Sequence, residues 1–404
     1  MNVGDPMSAP STKSPPHLLV WPGVTAWRIR GDLWLDRKFK DGMDLWARQW
    51  SGTLGAVMDV EELPEVPPFG AYRWQGEAEN FSLTLIEPGQ TMSTGHLAGA
   101  RVLLANADDP RKLNAAELCR SAGCRCILMI EYTLATRLDM NRYAEVSRFQ
   151  KLKTSIWLLL NEIRVRRAIR RADSVQANGM PAYRAYAARK ANGLLYFDTR
   201  LDAGAVIPIQ SLADKLGALR TNRPLRLAFS GRLIAGKGAD ELLPLARKLK
   251  DRGLAFHLDV YGSGQLATAM AQGIAAHGLE PVMTLHGPVD FETELIPVFQ
   301  REIDLFVCCH RQGDPSCTYA ETLGCGIPIV GYSNESLQAL VRNYDVGWTV
   351  PMNDLDRLAD QIMLLANQRD EIAAKAYKSR EFGLANSFES TFRARLEHCA
   401  LVAA

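Results

Sequence analysis

Short apolar runs alternate with longer amphipathic stretches from Leu225 onward. Residues 225–229 (LRLAF), 256–261 (FHLDVY), 282–287 (VMTLHG), 304–309 (DLFVCC) and 327–332 (IPIVGY) each read as a strand. Between them, 239–253, 265–277, 290–301 and 316–325 read as helices, and a further helix begins near Asp354. Strands alternating with helices predict a parallel sheet covered on both faces. Ligands of such sheets sit at the carboxyl ends of the strands. Gly231, Gly262, His286-Gly287 and His310 fall at those ends.

The first half is less regular but similar in kind. Strands are predicted at 18–21, 56–60, 81–86, 102–105, 126–130, 174–177 and 194–197, with a helix over 110–122. The Pro/Ser-rich residues 1–16 read as a disordered tail. The expected division is an N-terminal domain over 17–200, a linker over 201–224 with Gly204, Pro208, Gly217 and Pro224, a C-terminal domain over 225–385, and a helix over 386–404.

Composition narrows the function classes. The chain has 404 residues with 47 Lys+Arg against 45 Asp+Glu, a formal net charge of +2. That balance argues against a nucleic-acid binder. At 47% hydrophobic, the chain is not a disordered one. No apolar run approaches the roughly 20 residues of a membrane span. With no signal peptide, the eight cysteines are expected as reduced thiols in a cytoplasmic protein. Cys119, Cys124 and Cys126 lack a second pair at zinc spacing and read as small buried residues.

Three segments carry candidate chemistry. Gly231-Arg232 through Lys237-Gly238 puts two cations and flexible backbone in one strand-to-helix loop, able to grip a diphosphate or simply to be solvated. Gly262-Ser263-Gly264 follows the next strand, but Ala267 breaks the dinucleotide fingerprint, which disfavours a nicotinamide enzyme. In Gly313-Asp314-Pro315-Ser316-Cys317-Thr318-Tyr319-Ala320-Glu321, Asp314 or Ser316 can cap a helix beginning near Pro315. The first amides of that helix, Ser316 to Thr318, form an anion site. Asp354-Leu355-Asp356 has a D-x-D pattern but lies at a predicted helix start, where capping accounts for it.

In their order and separation, these segments resemble the retaining nucleotide-sugar glycosyltransferases of the GT-B fold, family 4. The resemblance covers about residues 225–365 and includes SGRLIAGKG (230–238), DVYGSG (259–264), LHGPVD (285–290) and ETLGCGIPIVGY (321–332). It implies two Rossmann-like doubly wound domains facing a cleft, with the C-terminal helix crossing back to the first domain. It assigns the donor diphosphate to Arg232, Lys237 and the amides of Ser316, Cys317 and Thr318, and the ribose hydroxyls to Glu321. Gly231, Gly262, Gly264, His286, Gly287 and His310 would line the donor site.

The resemblance implies no metal and no cofactor; the co-substrate would be a UDP- or GDP-sugar, and the acceptor a saccharide, lipid-linked in many members. The family's second Glu, eight positions before Glu321, is Gly313 here, so Asp314 is the candidate replacement. Where many members place a His after strand 126–130, this chain has Glu131-Tyr132. Glu131 could serve the acceptor or donor sugar, cap the next helix, or pair with Arg137. Gly23 and Val24, after the first strand, and His96, in a glycine-rich loop, are candidates for the phosphate or acceptor loop. A non-catalytic binding module and a sugar-nucleotide epimerase of the same fold are the alternatives.

Charge is not evenly spread. Residues 137–171 hold ten Arg/Lys and three acids around Phe149, Leu152, Ile156, Trp157 and Leu158–Leu160. That mixture suits an anionic membrane surface, such as the inner face of the plasma membrane, or an ordinary helix with a solvated basic face.

Overall fold

The computed structural model describes residues 17–67, 70–221 and 223–404. The tail expected over 1–16 lies outside the described residues. Two compact units divide the chain. One comprises Met1–Ala105, Asn114–Ile127 and Cys399–Ala404; the other comprises Asn106–Leu113 and Leu128–His398.

In the first unit, His17–Trp21 pairs in parallel with Thr53–Glu62 on one side and Ala100–Asn106 on the other. Thr53–Glu62 also pairs in parallel with Ser82–Ile86 and Ala26–Ile29. Two antiparallel pairings, absent from the sequence prediction, extend this sheet: Ala26–Ile29 with Asp32–Asp36, and Asp32–Asp36 with Ala71–Arg73. Arg30 and Gly31, both at positive φ, form the intervening two-residue turn. The helix expected over 110–122 is a 3-10 turn at Pro110–Lys112 followed by a helix at Ala115–Ala122.

The second unit holds a six-stranded parallel sheet. Its order is Met283–Gly287, Phe256–Tyr261, Leu225–Ser230, Leu305–Cys308, Ile329–Tyr332, Gly347–Val350. Numbered along the chain, that is 3-2-1-4-5-6, so the strand order reverses between Leu225–Ser230 and Leu305–Cys308. The crevice beyond the carboxyl ends at this switch is where doubly wound sheets bind ligands. Alternation within strands builds the two layers. Leu225, Leu227 and Phe229 enter one apolar cluster with Leu305 and Val307, while Ala228, Phe306 and Cys308 enter the other. The same unit contains the last residues of strand Arg125–Ile130, then Ser174–Asn178 and Leu194–Tyr196.

The expected linker is more than a connector. Residues Ile209–Arg220 form a helix whose Leu212, Leu216 and Leu219 are buried in the core of the second unit. The apolar spacing at 212, 216 and 219 is the signal that the nearby glycine and proline residues obscured. The final helix, Phe388–Ala403, packs on strand Ser174–Asn178. Arg395 Nε donates to Gln176 Oε1 at 3.0 Å, and His398 Nε2 lies 3.0 Å from Ser174 Oγ.

Candidate active site

Two glycines bring the loops of the switch point together. Gly238 has φ +65°, and a Cβ there would stand 2.0 Å from the carbonyl oxygen of Cys309. Gly262 has φ +124°, and its Cβ would stand 2.0 Å from the carbonyl oxygen of Gly231. No other residue fits either position without backbone displacement. Backbone bonds complete the junction: Gly262 N donates to Gly287 O, and Leu233 N to Ser263 O, each at 2.8 Å. Gly231, Gly262, Gly264, His286 and Gly287 thus lie along one rim.

At the reversal itself, Lys237 is 5% exposed and its Nζ donates to Asp314 Oδ2 at 2.7 Å. The other oxygen of Asp314 is buried without a partner. Arg232 is exposed and, among the described residues, in no ion pair. His310 is buried between these cations and the sheet, and Tyr319 Oη lies 3.2 Å from its Nδ1. Burial, then the charges of Lys237 and Arg232, push the His310 imidazole well below its ordinary pKa, so it is neutral. Its Nε2 is also buried without a partner. The unmet atoms of Asp314 and His310 mark a place where a polar ligand is owed contacts.

The expected helix runs from Cys317 to Gly324 with Ser316 at its N-cap position, but no side-chain cap bond is formed by Asp314 or Ser316. The Asp314 carboxylate pairs with Lys237 instead. The Ser316 amide, expected to face an anion, donates to Asp314 O at 2.9 Å; a helix start such as that of Cys317–Gly324 can bind an anion through its opening amides. Glu321 lies one turn in and is 5% exposed. It accepts from Arg200 Nε at 2.9 Å and Nη2 at 3.2 Å, and the Arg200 guanidinium sits 4.1 Å from the Phe291 ring centroid.

Gly313 stands in tight surroundings. A Cβ there would press on Glu335 Cβ at 3.2 Å and Thr136 Oγ1 at 3.3 Å. Its carbonyl accepts from Ser336 Oγ at 2.7 Å. Thr133 Oγ1 donates to Glu335 Oε2 at 2.6 Å, so residues after strand Arg125–Ile130 are tied to the start of helix Glu335–Tyr344.

Of the three readings of Glu131, two fail. Thr133, not Glu131, caps the next helix by accepting from Thr136 N. Arg137 pairs with Asp108 at 2.9 Å and Glu162 at 3.4 Å. Asp108, missed by sequence reasoning, orients the segment by accepting from Glu131 N at 2.8 Å and Tyr132 N at 3.2 Å. Burial raises the Asp108 carboxyl above its ordinary pKa, against the pull of Arg137. Burial likewise raises the Tyr132 phenol; Glu131, Asp108 and Asp314 raise it further and Arg232 opposes them. Tyr132 therefore stands within electrostatic reach of both Asp314 and Arg232.

Other expected site residues have structural roles or lie apart. His286 Nε2 lies 2.8 Å from Asp259 Oδ1, and its ring stacks on Tyr261 at 4.5 Å. His96 and Ser93 form a capping box in a 3-10 turn of the first unit. Gly23 and Val24 are exposed in the loop after His17–Trp21, also in the first unit. Asp354 caps its helix by accepting from Arg357 N at 3.0 Å. Asp354→Ala is therefore expected to cost about 1 kcal/mol of stability, read from the denaturation midpoint, with nucleotide-sugar turnover unchanged. A loss of turnover in the folded variant would restore a functional reading of the D-x-D.

Comparison with known proteins shows what this segment resembles. Residues 217–381 match the family model "Glycosyl transferases group 1". This segment is similar to the glycosyl transferases group 1 domains. The chain is similar to the colanic acid biosynthesis glycosyltransferase WcaL of Escherichia coli strain K12, at 27% identity over 172 residues, 39% of this chain and 40% of that protein. It is similar to the amylovoran biosynthesis glycosyltransferase AmsK of Erwinia amylovora, at 27% identity over 179 residues, 40% of this chain and 42% of that protein. The matched stretch thus spans about two-fifths of each relative.

Among solved structures, sucrose-phosphate synthase of Thermosynechococcus elongatus superposes with TM-score 0.64 at 14% identity, covering 96% of this chain and all of that one. HepE of Anabaena in complex with UDP superposes with TM-score 0.61 at 13% identity, covering 95% and 98%. The fold is that of the GT-B glycosyltransferases.

Proposed function

We propose that the protein transfers a hexose from a nucleotide diphosphate sugar to a saccharide acceptor, with retention of anomeric configuration and without a metal ion. The observation that carries this is the convergence of Lys237, Arg232 and the Cys317–Gly324 helix start at the strand-order reversal. These positive groups would stabilise the charge that a leaving diphosphate gathers, usually the largest catalytic term in such sites. In the proposed step the acceptor oxygen bonds to the anomeric carbon as the bond from that carbon to the phosphate oxygen breaks. The acceptor proton passes to a phosphate oxygen on the same face. Glu321 would hold the ribose hydroxyls, and Asp314 and His310 would offer their unmet atoms to the sugar.

The names of WcaL and AmsK support a place in surface polysaccharide synthesis. HepE solved with UDP-glucose makes UDP the first nucleotide to test. We read the acceptor as lipid-linked and the enzyme as peripheral at the cytoplasmic membrane face. Among the described residues no helix is long and apolar enough to cross a membrane.

Thermal shift against UDP-, GDP- and ADP-sugars, followed by nucleotide release and NMR of the product anomer, tests the reading. One donor is expected to raise the melting temperature through mass action and to be consumed with retention. No shift and no consumption with any donor would refute it, and an epimerised donor without acceptor would favour the epimerase. Turnover is expected to survive EDTA unchanged, and a loss reversed by added divalent ion would refute the metal-independent step.

A further inference from the structure

The apolar surface of helix Arg148–Arg171 is out of place on a solvated protein. Leu158, Asn161, Val165 and Ile169 face inward and are buried. On the opposite side Phe149, Leu152, Ile156, Leu160 and Ile163 recur every three or four residues as one stripe, widened by Leu159. Phe149 is 77% exposed, and each of the others more than half. Such a continuous exposed apolar stripe marks an interaction surface.

Charge says what covers it. Helical spacing sets Lys153, Arg164 and Arg171 along one margin of the stripe and Arg148 along the other. One turn past Ile163 the stripe itself becomes basic at Arg167 and Arg170. The only acid of the helix, Glu162, is turned inward and accepts from Tyr186 Oη and Arg137. A second copy presenting the same face would bring cations against cations. An apolar stripe between rows of cations matches an anionic lipid surface, with acyl chains beneath phosphate headgroups.

We infer that helix Arg148–Arg171 docks on the surface of an anionic bilayer, its Phe149–Ile163 stripe entering the acyl boundary while Lys153, Arg167 and Arg170 meet lipid phosphates. The inference rests on the proposed peripheral location and specifies the face, the depth-setting residues and the lipid charge.

Cosedimentation of the full chain tests it, with phosphatidylcholine vesicles and with vesicles of phosphatidylcholine and phosphatidylglycerol. Binding to the anionic vesicles is expected to exceed binding to the neutral ones by about tenfold or more, and to weaken with salt. F149S/L152S/I156S/L160S is expected to abolish it, and K153Q/R167Q/R170Q to remove the preference for anionic lipid. Equal binding to both vesicle types, no binding, or wild-type binding by either variant would overturn the inference. So would a concentration-dependent dimer lost in the serine variant, which would name a second copy as the occupant. Nucleotide-sugar turnover on a soluble acceptor is expected to be unchanged in both variants, which also shows that they fold. Turnover without vesicle binding would sink this inference alone, and vesicle binding without turnover would sink the transferase reading alone.

Discussion

Lys237→Ala is expected to lower kcat by about 100- to 1,000-fold, the range seen when one fixed donor to a developing anion is removed. Two effects contribute. The leaving diphosphate loses a point charge held rigidly by the Ala235–Gly238 turn. Asp314, 2.7 Å away and largely buried, also loses its counter-ion. Removing one member of a buried pair costs about 3 kcal/mol of stability, so the variant should also melt earlier. Asp314→Asn separates the two effects. It leaves Lys237 free to bind phosphate and removes only the carboxylate. If Asp314 contacts the donor sugar, Asp314→Asn lowers kcat without destabilising the fold to the same degree. If Asp314 merely holds Lys237, turnover is retained. Measuring kcat, KM for the donor and melting temperature in the two single variants and the double variant decides among these outcomes. Near-wild-type kcat for Lys237→Ala would remove Lys237 from the mechanism.

What the sequence reveals of this site depends on how local each signal is. Five of the six parallel strands of the second unit's larger sheet were legible because they are short apolar runs alternating with amphipathic helices; the sixth, Gly347–Val350, was not predicted. Arg232, Lys237 and Glu321 were legible as candidates because loop cations and a carboxylate one turn into a helix follow closely on those strands. The partners were not. Glu321 meets Arg200, 121 residues earlier, and Glu335 meets Thr133, 202 residues earlier. Nothing near Arg200 or Thr133 in sequence announces such a partner. The antiparallel strands at 26–29, 32–36 and 71–73 were missed for another reason. They are only partly buried, so their alternation is blurred by Trp, Arg and Asp. Gly313 illustrates the reverse case. Its departure from the family pattern was plain in the sequence, but its tight surroundings, with Glu335 Cβ 3.2 Å and Thr136 Oγ1 3.3 Å from where a Cβ would stand, are visible only in three dimensions.

Glu321→Ala is expected to raise KM for the donor by about 10- to 100-fold while kcat changes much less. A hydrogen bond to a charged group contributes roughly 1.5–3 kcal/mol, and each 1.4 kcal/mol is tenfold in affinity. The ribose lies away from the reacting bond, so its contacts are made equally in the ground and transition states, and their loss appears in KM. The Arg200 pair complicates a single substitution, because Glu321→Ala also releases a guanidinium stacked on Phe291. Arg200→Ala provides the control. It preserves the carboxylate and removes a partner that the ribose would otherwise have to displace or share. Donor KM is then expected to stay within a few-fold of the wild type. Glu321→Gln retains one acceptor oxygen and should fall between the two. If Arg200→Ala raises KM as much as Glu321→Ala does, the carboxylate acts by holding Arg200, and the ribose assignment fails. If neither changes KM, this helix does not bind the donor through Glu321 at all.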